Sequence, residues 1–336
     1  VTVAIKRTTS IDVANLAGVS QATVSRVFNS EENVAEDTRQ KVLAAAQALG
    51  YQPNALARGL TTRRTNIIGV VTHISSPFYP YVLEKFARKL NEMGQQILLF
   101  SVLPDQEADE LLPLVFQYQV NALIVTSATL SSDMANECDR RGVPLILFNR
   151  YILGSKASAV CCDNVEGGRL VANLFLDAGH KRLAHIAGRA RTSTNRDREK
   201  GFADRLRERG CTDWLREEGE HTYESGREAA RRLLQRPDPP DAIFCISDVV
   251  AFGAMDAARY DLGLRVPEDV SIIGFDDLPM AAWPAYSLTT IREPVNGMID
   301  ATLALLAERM ENPDAEPVLK LLPGRLIKRD SARLAD

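Results

Sequence analysis

Within the segment QATVSRVFN, Gln21, Thr23, Ser25 and Arg26 place an amide, two hydroxyls and a guanidinium on one short stretch. Such groups suit the base edges and phosphate oxygens of a nucleic acid, and a helix this short and polar makes poor core. A second polar set stands where apolar runs end: Thr72-His73, Thr126-Ser127, Asn149-Arg150, Asp163-Asn164, Ser247-Asp248 and Asp276-Asp277. If those runs are strands of open parallel sheets, their carboxyl ends are where a small molecule binds. Catalytic signatures are missing: there is no GxGxxG after the first apolar run, no GxxxxGK[ST] loop and no GxSxG elbow. His73, His180, His185 and His221 show no triad or metal spacing. Five cysteines (Cys138, Cys161, Cys162, Cys211, Cys245) form neither a CxxC pair nor a metal-ligand pattern, so no metal and no cofactor is expected. Buried thiols in a reducing compartment are expected instead.

The first polar set needs elements to hold it. Val13, Leu16 and Ala17 recur at helical spacing. Gly18 permits a sharp turn, Val19 can pack into the angle, and Ser20 is a natural N-cap for a helix starting at Gln21. On that second helix Ala22, Val24 and Val27 cannot all face water. Residues 38–49 read as a third helix with an apolar stripe through Val42, Leu43, Ala46 and Leu49, closed by Gly50. Three helices can bury one small core, and the first two make a shape that fits a major groove, although an ordinary helical hairpin shares this spacing. Pro53 stops any helix, and a polar basic run from Thr61 to Asn66 reads as a linker holding one weak helical turn.

At 336 residues, 45% hydrophobic and 25% charged, the chain has room for two or three domains and a sizeable core. Its net charge of −4 hides an asymmetry. Residues 1–66 carry eight basic against five acidic side chains, leaving 32 basic and 39 acidic for the rest. Positive charge thus gathers beside the candidate reading helix. No apolar run approaches the ~18 residues that span a bilayer, and residues 1–10 lack a secretory apolar core, so a cytoplasmic protein with no membrane partner is expected.

From Asn66 onward, short apolar runs alternate with helical stretches. Strands are expected near 67–72, 96–102, 122–126 and 144–149, then 182–187, 242–247 and 271–274, with helices between them. Such apolar strands in strict alternation with helices mean doubly wound parallel sheets, and the restart of the pattern means two lobes with a cleft between. Short extended runs near 162–164, 289–293 and 323–328 are the expected crossings, which together would form a hinge.

At this point the motifs carry a resemblance. GVSQATVSRVFN, a helix ending in LGYQPN, then ARGL and a basic link resemble the lactose/galactose-repressor family of bacterial transcriptional regulators. The body resembles the periplasmic sugar-binding-protein fold shared by that family, through ISD (246–248), GAM (253–255) and GFDD (274–277). The resemblance extends over essentially the whole chain. It implies a three-helix helix-turn-helix head over residues 1–50, a hinge over 51–65 and an α/β effector-binding and dimerisation body over 66–336. Lobe 1 would take about 66–162 and 292–323, and lobe 2 about 163–291 and 324–336.

The resemblance also implies roles. Gln21, Ala22 and Arg26 would read bases, and Leu60 would wedge into the minor groove from a hinge helix that forms on DNA. Ser20, Thr23, Ser25, Asn29, Thr38, Tyr51 and Asn54 would meet the DNA backbone. Arg198 and Asp276 would grip the effector, with Thr126, Asn149, His221, Ser247 and Glu293 lining the cleft, and Pro77, Phe78 and Tyr79 facing it from lobe 1. The implied partners are a double-stranded operator, a second copy of the chain, and a sugar, sugar acid or sugar phosphate. Two positions depart from the pattern. Ala35 replaces a helix-capping serine, so Glu36, Asp37 and free amides must serve that end. Glu293 stands where sugar-binding members have a neutral amide, which favours a ligand with donors or positive charge, or else a pairing of Glu293 with Arg198. A transport receptor and an enzyme are the competing classes; the head opposes the first and the missing motifs the second.

Overall fold

The computed structural model describes residues 8–29, 34–52, 65–74, 76–103, 108–126, 130–188 and 192–335. Contacts divide the chain into Val1–Thr65 and Asn66–Asp336. Leu60 and Asn54 lie outside the described residues, as does the side chain of Asn29.

In the first unit, α1 (Ser10–Ala17), α2 (Gln21–Asn29) and α3 (Glu36–Ala48) bury Val13, Ala14, Val24, Val27, Val42, Ala45 and Ala46 together. Thr9 and Asp12 form a reciprocal capping box on α1. Gly18 then turns the chain in the left-handed region, φ 67°, which a Cβ would oppose. Ser20 Oγ accepts from the Thr23 amide at 3.1 Å and so caps α2. At Ala35 no side chain caps α3; Glu36 and Asp37 in its first turn face the helix dipole, and Glu36 accepts from Gln40. Two expected stripe positions differ. Leu16 and Leu43 are exposed, and Ala45 takes the inward place on α3, because three helices this short leave room only for small side chains at the centre.

The second unit holds two six-stranded sheets. In the first, β1 (Ile67–Thr72), β2 (Gln96–Ser101), β3 (Ala122–Val125), β4 (Leu145–Phe148), β5 (Ser158–Cys162) and β11 (Leu319–Leu322) run parallel in the order β11-β5-β4-β3-β1-β2. The second contains β6 (Leu183–Ala187), β7 (Trp214–Glu218), β8 (Ala242–Cys245), β9 (Ser271–Asp276), β10 (Thr289–Arg292) and β12 (Arg325–Ile327), in the order β12-β10-β9-β8-β6-β7. It departs from the all-parallel expectation: β12 runs antiparallel to β10, because only Pro323 and Gly324 separate it from β11 and the chain turns straight into the other sheet. Strands β3, β4 and β8 are buried along their whole length, as sheets covered on both faces require.

Lobe connections fall at three places. Asp163 joins β5 to the helix Asn164–Asp177, Glu293-Pro294 joins β10 to the helix Val295–Glu311 that packs on β4 and β5, and Pro323-Gly324 joins β11 to β12. In the second lobe the helices Asn164–Asp177 and Ser193–Glu208 approach so closely that a Cβ on Gly168 would stand 2.1 Å from the Arg198 carbonyl oxygen. A Cβ on Gly201 would stand 1.9 Å from that of Val165. That contact fixes the depth at which Arg198 enters the cleft.

Candidate functional site

In the first unit, α2 turns Val24 and Val27 inward and leaves Gln21, Ala22, Ser25 and Arg26 exposed. The base-reading set implied by the sequence therefore shares one outer face. Ser20 and Thr23 bond each other at 2.9 Å at the start of that helix, and Gln21 Nε2 donates to Ser10 Oγ on α1 at 3.0 Å, which orients its amide. Thr38 is partly buried at the start of α3. Tyr51 is partly buried too, and its ring meets Phe28 edge-on at 5.9 Å, so it packs on the core it borders.

Between the two sheets, Arg198 is the organising residue. It is 1% exposed, among the largest side chains to be buried so fully. Nε donates to Asn164 Oδ1 at 2.8 Å, Nη1 to the Ile246 carbonyl at 2.7 Å and to Asp276 Oδ1 at 3.1 Å, and Nη2 to Glu293 Oε1 at 2.5 Å. Its guanidinium lies over the Phe275 ring, 3.6 Å from the centroid. Of the two alternatives open for Glu293, the structure realises the pairing with Arg198.

Burial dominates the titration of these acids. It pushes Asp276 and Glu293 above the usual carboxylate range, with the Arg198 charge pulling the other way in both and Asp276 adding to the rise of Glu293. Asp248 is raised as well, by burial and then by Asp276, although it accepts from Thr290 Oγ1 at 2.5 Å and from the Leu278 amide at 2.7 Å. Asp248 therefore ties the sheet to the cleft rim from below. Asn149, Asp276 and Asp277 all adopt positive φ, at 61°, 116° and 56°, an uncommon conformation for these residues that aims side chains off strand ends.

Around this centre the implied cleft residues are brought together unevenly. Thr126 is buried and donates to Thr72 Oγ1 at 2.6 Å. His221 Nε2 meets Asn195 Oδ1 at 3.0 Å. Phe78 is buried in the lobe-1 core with its ring edge-on to Tyr79, so of the two aromatics Tyr79 is the one on the cleft side, its phenol against the Arg150 guanidinium and raised by burial. Pro77 is exposed just before the helix Phe78–Glu92. Asn149 Oδ1, Ser247 Oγ, Glu293 Oε2 and Arg150 Nε are buried without a hydrogen-bond partner.

Two cavities flank the centre. One of about 570 Å³ is lined by Leu147, Arg150, Tyr151, Thr192, Arg196 and Asp197; the other, about 610 Å³, by Tyr81, Asp276, Arg292, Glu293, Val295 and Arg329. Sequence reasoning missed several of these. Tyr151 links the lobes by donating from its hydroxyl to Asp197 at 3.1 Å and from its amide to Ser193 Oγ at 3.1 Å. Asp277 takes ion pairs from Arg292 and Arg329 at the hinge. Arg150, Asn164 and Asp277 did carry a signal, their place at strand ends; Tyr151, Asp197 and Arg329 carried none. Among the described residues no group of three or more His, Cys, Asp or Glu is placed to hold a metal, no helix is long and apolar enough to cross a membrane, and the five cysteines are free.

A helix-turn-helix with an exposed polar reading face, in one chain with a two-lobed α/β body built around a buried polar cleft, defines a ligand-responsive DNA-binding regulator. Residues 10–54 match the family of bacterial regulatory proteins, lacI family, and residues 172–332 match a periplasmic binding protein-like domain. The chain is 33% identical to catabolite control protein A of Priestia megaterium over 97% of its own length and 99% of that protein. It belongs to the LacI family. Among solved structures, it is similar to a transcriptional regulator CelR–cellobiose complex, with 32% identity, a TM-score of 0.72, and 97% of this chain and 100% of that chain covered. It is also similar to the Lac repressor dimer bound to operator and the anti-inducer ONPF, with 26% identity, a TM-score of 0.88, and 98% and 100% covered. The protein is a sequence-specific DNA-binding transcriptional regulator with an effector-binding body.

Proposed function

We propose that this protein is a repressor of carbohydrate or sugar-acid catabolism genes, binding a pseudo-palindromic operator as a homodimer in the bacterial cytoplasm and catalysing no reaction. Residues 1–50 form the reading head, 51–65 the hinge and 66–336 the effector and dimerisation body. Gln21, Ala22 and Arg26 read bases, with Leu60 as the minor-groove wedge; Ser20, Thr23, Ser25, Asn29, Thr38, Tyr51 and Asn54 meet the backbone. One head makes too few contacts to define a genomic site, so two heads on a two-fold axis are needed. The effector enters between the lobes, and closure about the three crossings alters hinge-helix formation and so operator affinity.

The observation that carries this reading is the outward polar face of α2 over a buried Val24–Val27 underside. The buried unpartnered atoms of Asn149, Ser247 and Glu293 support a ligand in the cleft, since desolvated polar groups are rarely left unmade. Selection of bound fragments from sheared genomic DNA by the purified protein, with and without carbohydrates, tests it. The expected result is one enriched motif with two half-sites about one helical turn apart, whose recovery changes with a sugar. Recovery of random fragments only, at moderate salt, sinks the proposal.

A further inference from the structure

The cavity of about 570 Å³ is walled differently from the polar centre beside it, and none of the residues implied for the effector lines it. Its lobe-1 wall is apolar. Val125 and Leu147 alternate along β3 and β4 with Ile124 and Phe148, so they face the opposite side of the first sheet from the core that holds Phe78 and Tyr79. Leu130 joins them, Ile152 packs on the same core, and Leu153 lines the cavity while 76% exposed, an apolar side chain left to water. The lobe-2 wall is charged. Arg196 and Lys200 stand one turn apart on the helix Ser193–Glu208, with Asp197 beside them. Lys200 is paired with Asp204, and Asp197 accepts from the Tyr151 hydroxyl at 3.1 Å. Arg150 completes the lining. Its guanidinium touches the Tyr79 phenol, yet Nε is buried without a hydrogen-bond partner. Arg150 and Arg196 against Asp197 leave the cavity with an excess of positive charge. Tyr151, held also by its amide to Ser193 Oγ at 3.1 Å, fixes the two walls against each other.

We propose that this cavity is a second ligand site, separate from the effector cleft, and that it takes an organic acid with an apolar body, an aryl or medium-chain acyl carboxylate. The carboxylate meets Arg150 and Arg196, and the body lies against Leu130, Leu147 and Leu153. Each part of that chemistry answers a feature of the walls. A buried guanidinium N–H without an acceptor is costly, and a carboxylate satisfies it with a charge-assisted bond. The apolar body removes Leu153 and its neighbours from water. A bare anion leaves that wall wet, a sugar sets hydroxyls against side chains that cannot bond them, and an amine meets the positive excess. The site depends neither on a sugar effector nor on operator binding, and it gives the chain an input of a different chemical class.

The test is titration calorimetry on the full-length protein with matched probes: cinnamate and octanoate, their alcohols cinnamyl alcohol and 1-octanol, and acetate and inorganic phosphate as bare anions. The expected result is that cinnamate or octanoate binds at least tenfold more tightly than its own alcohol and than either bare anion; the better of the two tells an aryl from an acyl body. Two variants of exposed side chains locate the site. Arg196→Glu should weaken the acid at least tenfold and leave the alcohol unchanged, and Leu153→Asp should weaken both acid and alcohol. Thermal melting of each variant without ligand checks that it is folded. No binding of either acid at millimolar concentration overturns the proposal, as does an acid held no better than its alcohol. So does binding that survives both folded variants, because the acid then sits elsewhere. If one variant does not fold, the other decides. Operator binding in the same preparations reports separately on the regulatory reading.

Discussion

Arg198 places its guanidinium 3.6 Å from the centroid of the Phe275 ring. The ring therefore closes one face of the cation, and only in-plane donors remain, all but one of which are spent inside the protein. Removing such a cation leaves Asp276 and Glu293 buried and uncompensated. Arg198→Met, close in length and neutral, should cost about 3–5 kcal/mol of stability above neutral pH, as loss of one partner from a buried ion network does. Adding Glu293→Gln to it should recover part of that loss, and urea denaturation of the three variants measures it. A cost below ~1 kcal/mol would mean that the cluster does not depend on this cation.

Helix contact, and not only chemistry, sets where Arg198 points. Gly168→Ala would drive a Cβ into the Arg198 carbonyl oxygen and 2.8 Å from the Phe202 amide nitrogen, both backbone atoms that cannot swing aside. We expect at least ~2 kcal/mol of destabilisation and a loss of ligand-induced thermal shift larger than in a surface control. The exposed Gly94, whose Cβ would meet nothing, provides a contrast, limited to the strain of its φ of 71°. Equal effects at both sites would show that close helix approach is not what positions the arginine.

Much of this architecture was legible because it rests on local chemistry. The turn at Gly18, the Ser20 cap and the alternation of apolar runs with helices are short-range signals, and each has its structural counterpart. Strand β7 escaped because WLREE, at a sheet edge, has only two apolar residues followed by three charged ones and lacks a buried run. Helix Val295–Glu311 was not delimited from its pattern, although its buried Met298, Ile299, Thr302 and Leu306 recur at helical spacing. The internal saturation of Arg198 was beyond reach, since its partners lie 34 to 95 residues away and only the fold brings them together. Leu16 and Leu43 misled for the opposite reason: apolar type was read as burial, and a small core had no room for them.

On the head, Arg26 and Ser20 separate reading from folding. Arg26 is exposed at the second turn of α2, so Arg26→Ala should leave the melting of the head unchanged while weakening specific operator binding by about 1–3 kcal/mol, roughly five- to 150-fold. Ser20→Ala removes the bond to the Thr23 amide and should cost about 1 kcal/mol of helix stability. Its effect on DNA binding should follow the loss of folded head. Circular dichroism and gel shift on the same samples distinguish them. Were Arg26→Ala to keep full operator affinity, it would have no place among the base readers.

Acid sensitivity should trace to His185. The ring stacks on Phe244, centroids 4.7 Å apart, and Nδ1 donates to the Phe244 carbonyl at 2.9 Å, which leaves Nε2 unprotonated and without a partner in full burial. A proton there would charge a fully buried group with no acceptor in reach among the described residues, so burial pushes the imidazole down to about 4. A depressed folded pKa means that the unfolded chain binds the proton first. The stability tied to a neutral His185 is complete above about 6.5 and drains away as pH falls towards about 4, up to roughly 3 kcal/mol. The raised carboxyls Asp276 and Glu293 act in the opposite sense over part of this range, because the folded state holds their protons more tightly. The informative quantity is therefore the difference between wild type and His185→Phe in urea denaturation at several pH values. It should shift in favour of the variant as pH drops from 7.5 to 4.5, and a difference that stays flat across the window would show that His185 carries its proton elsewhere than the burial argument places it.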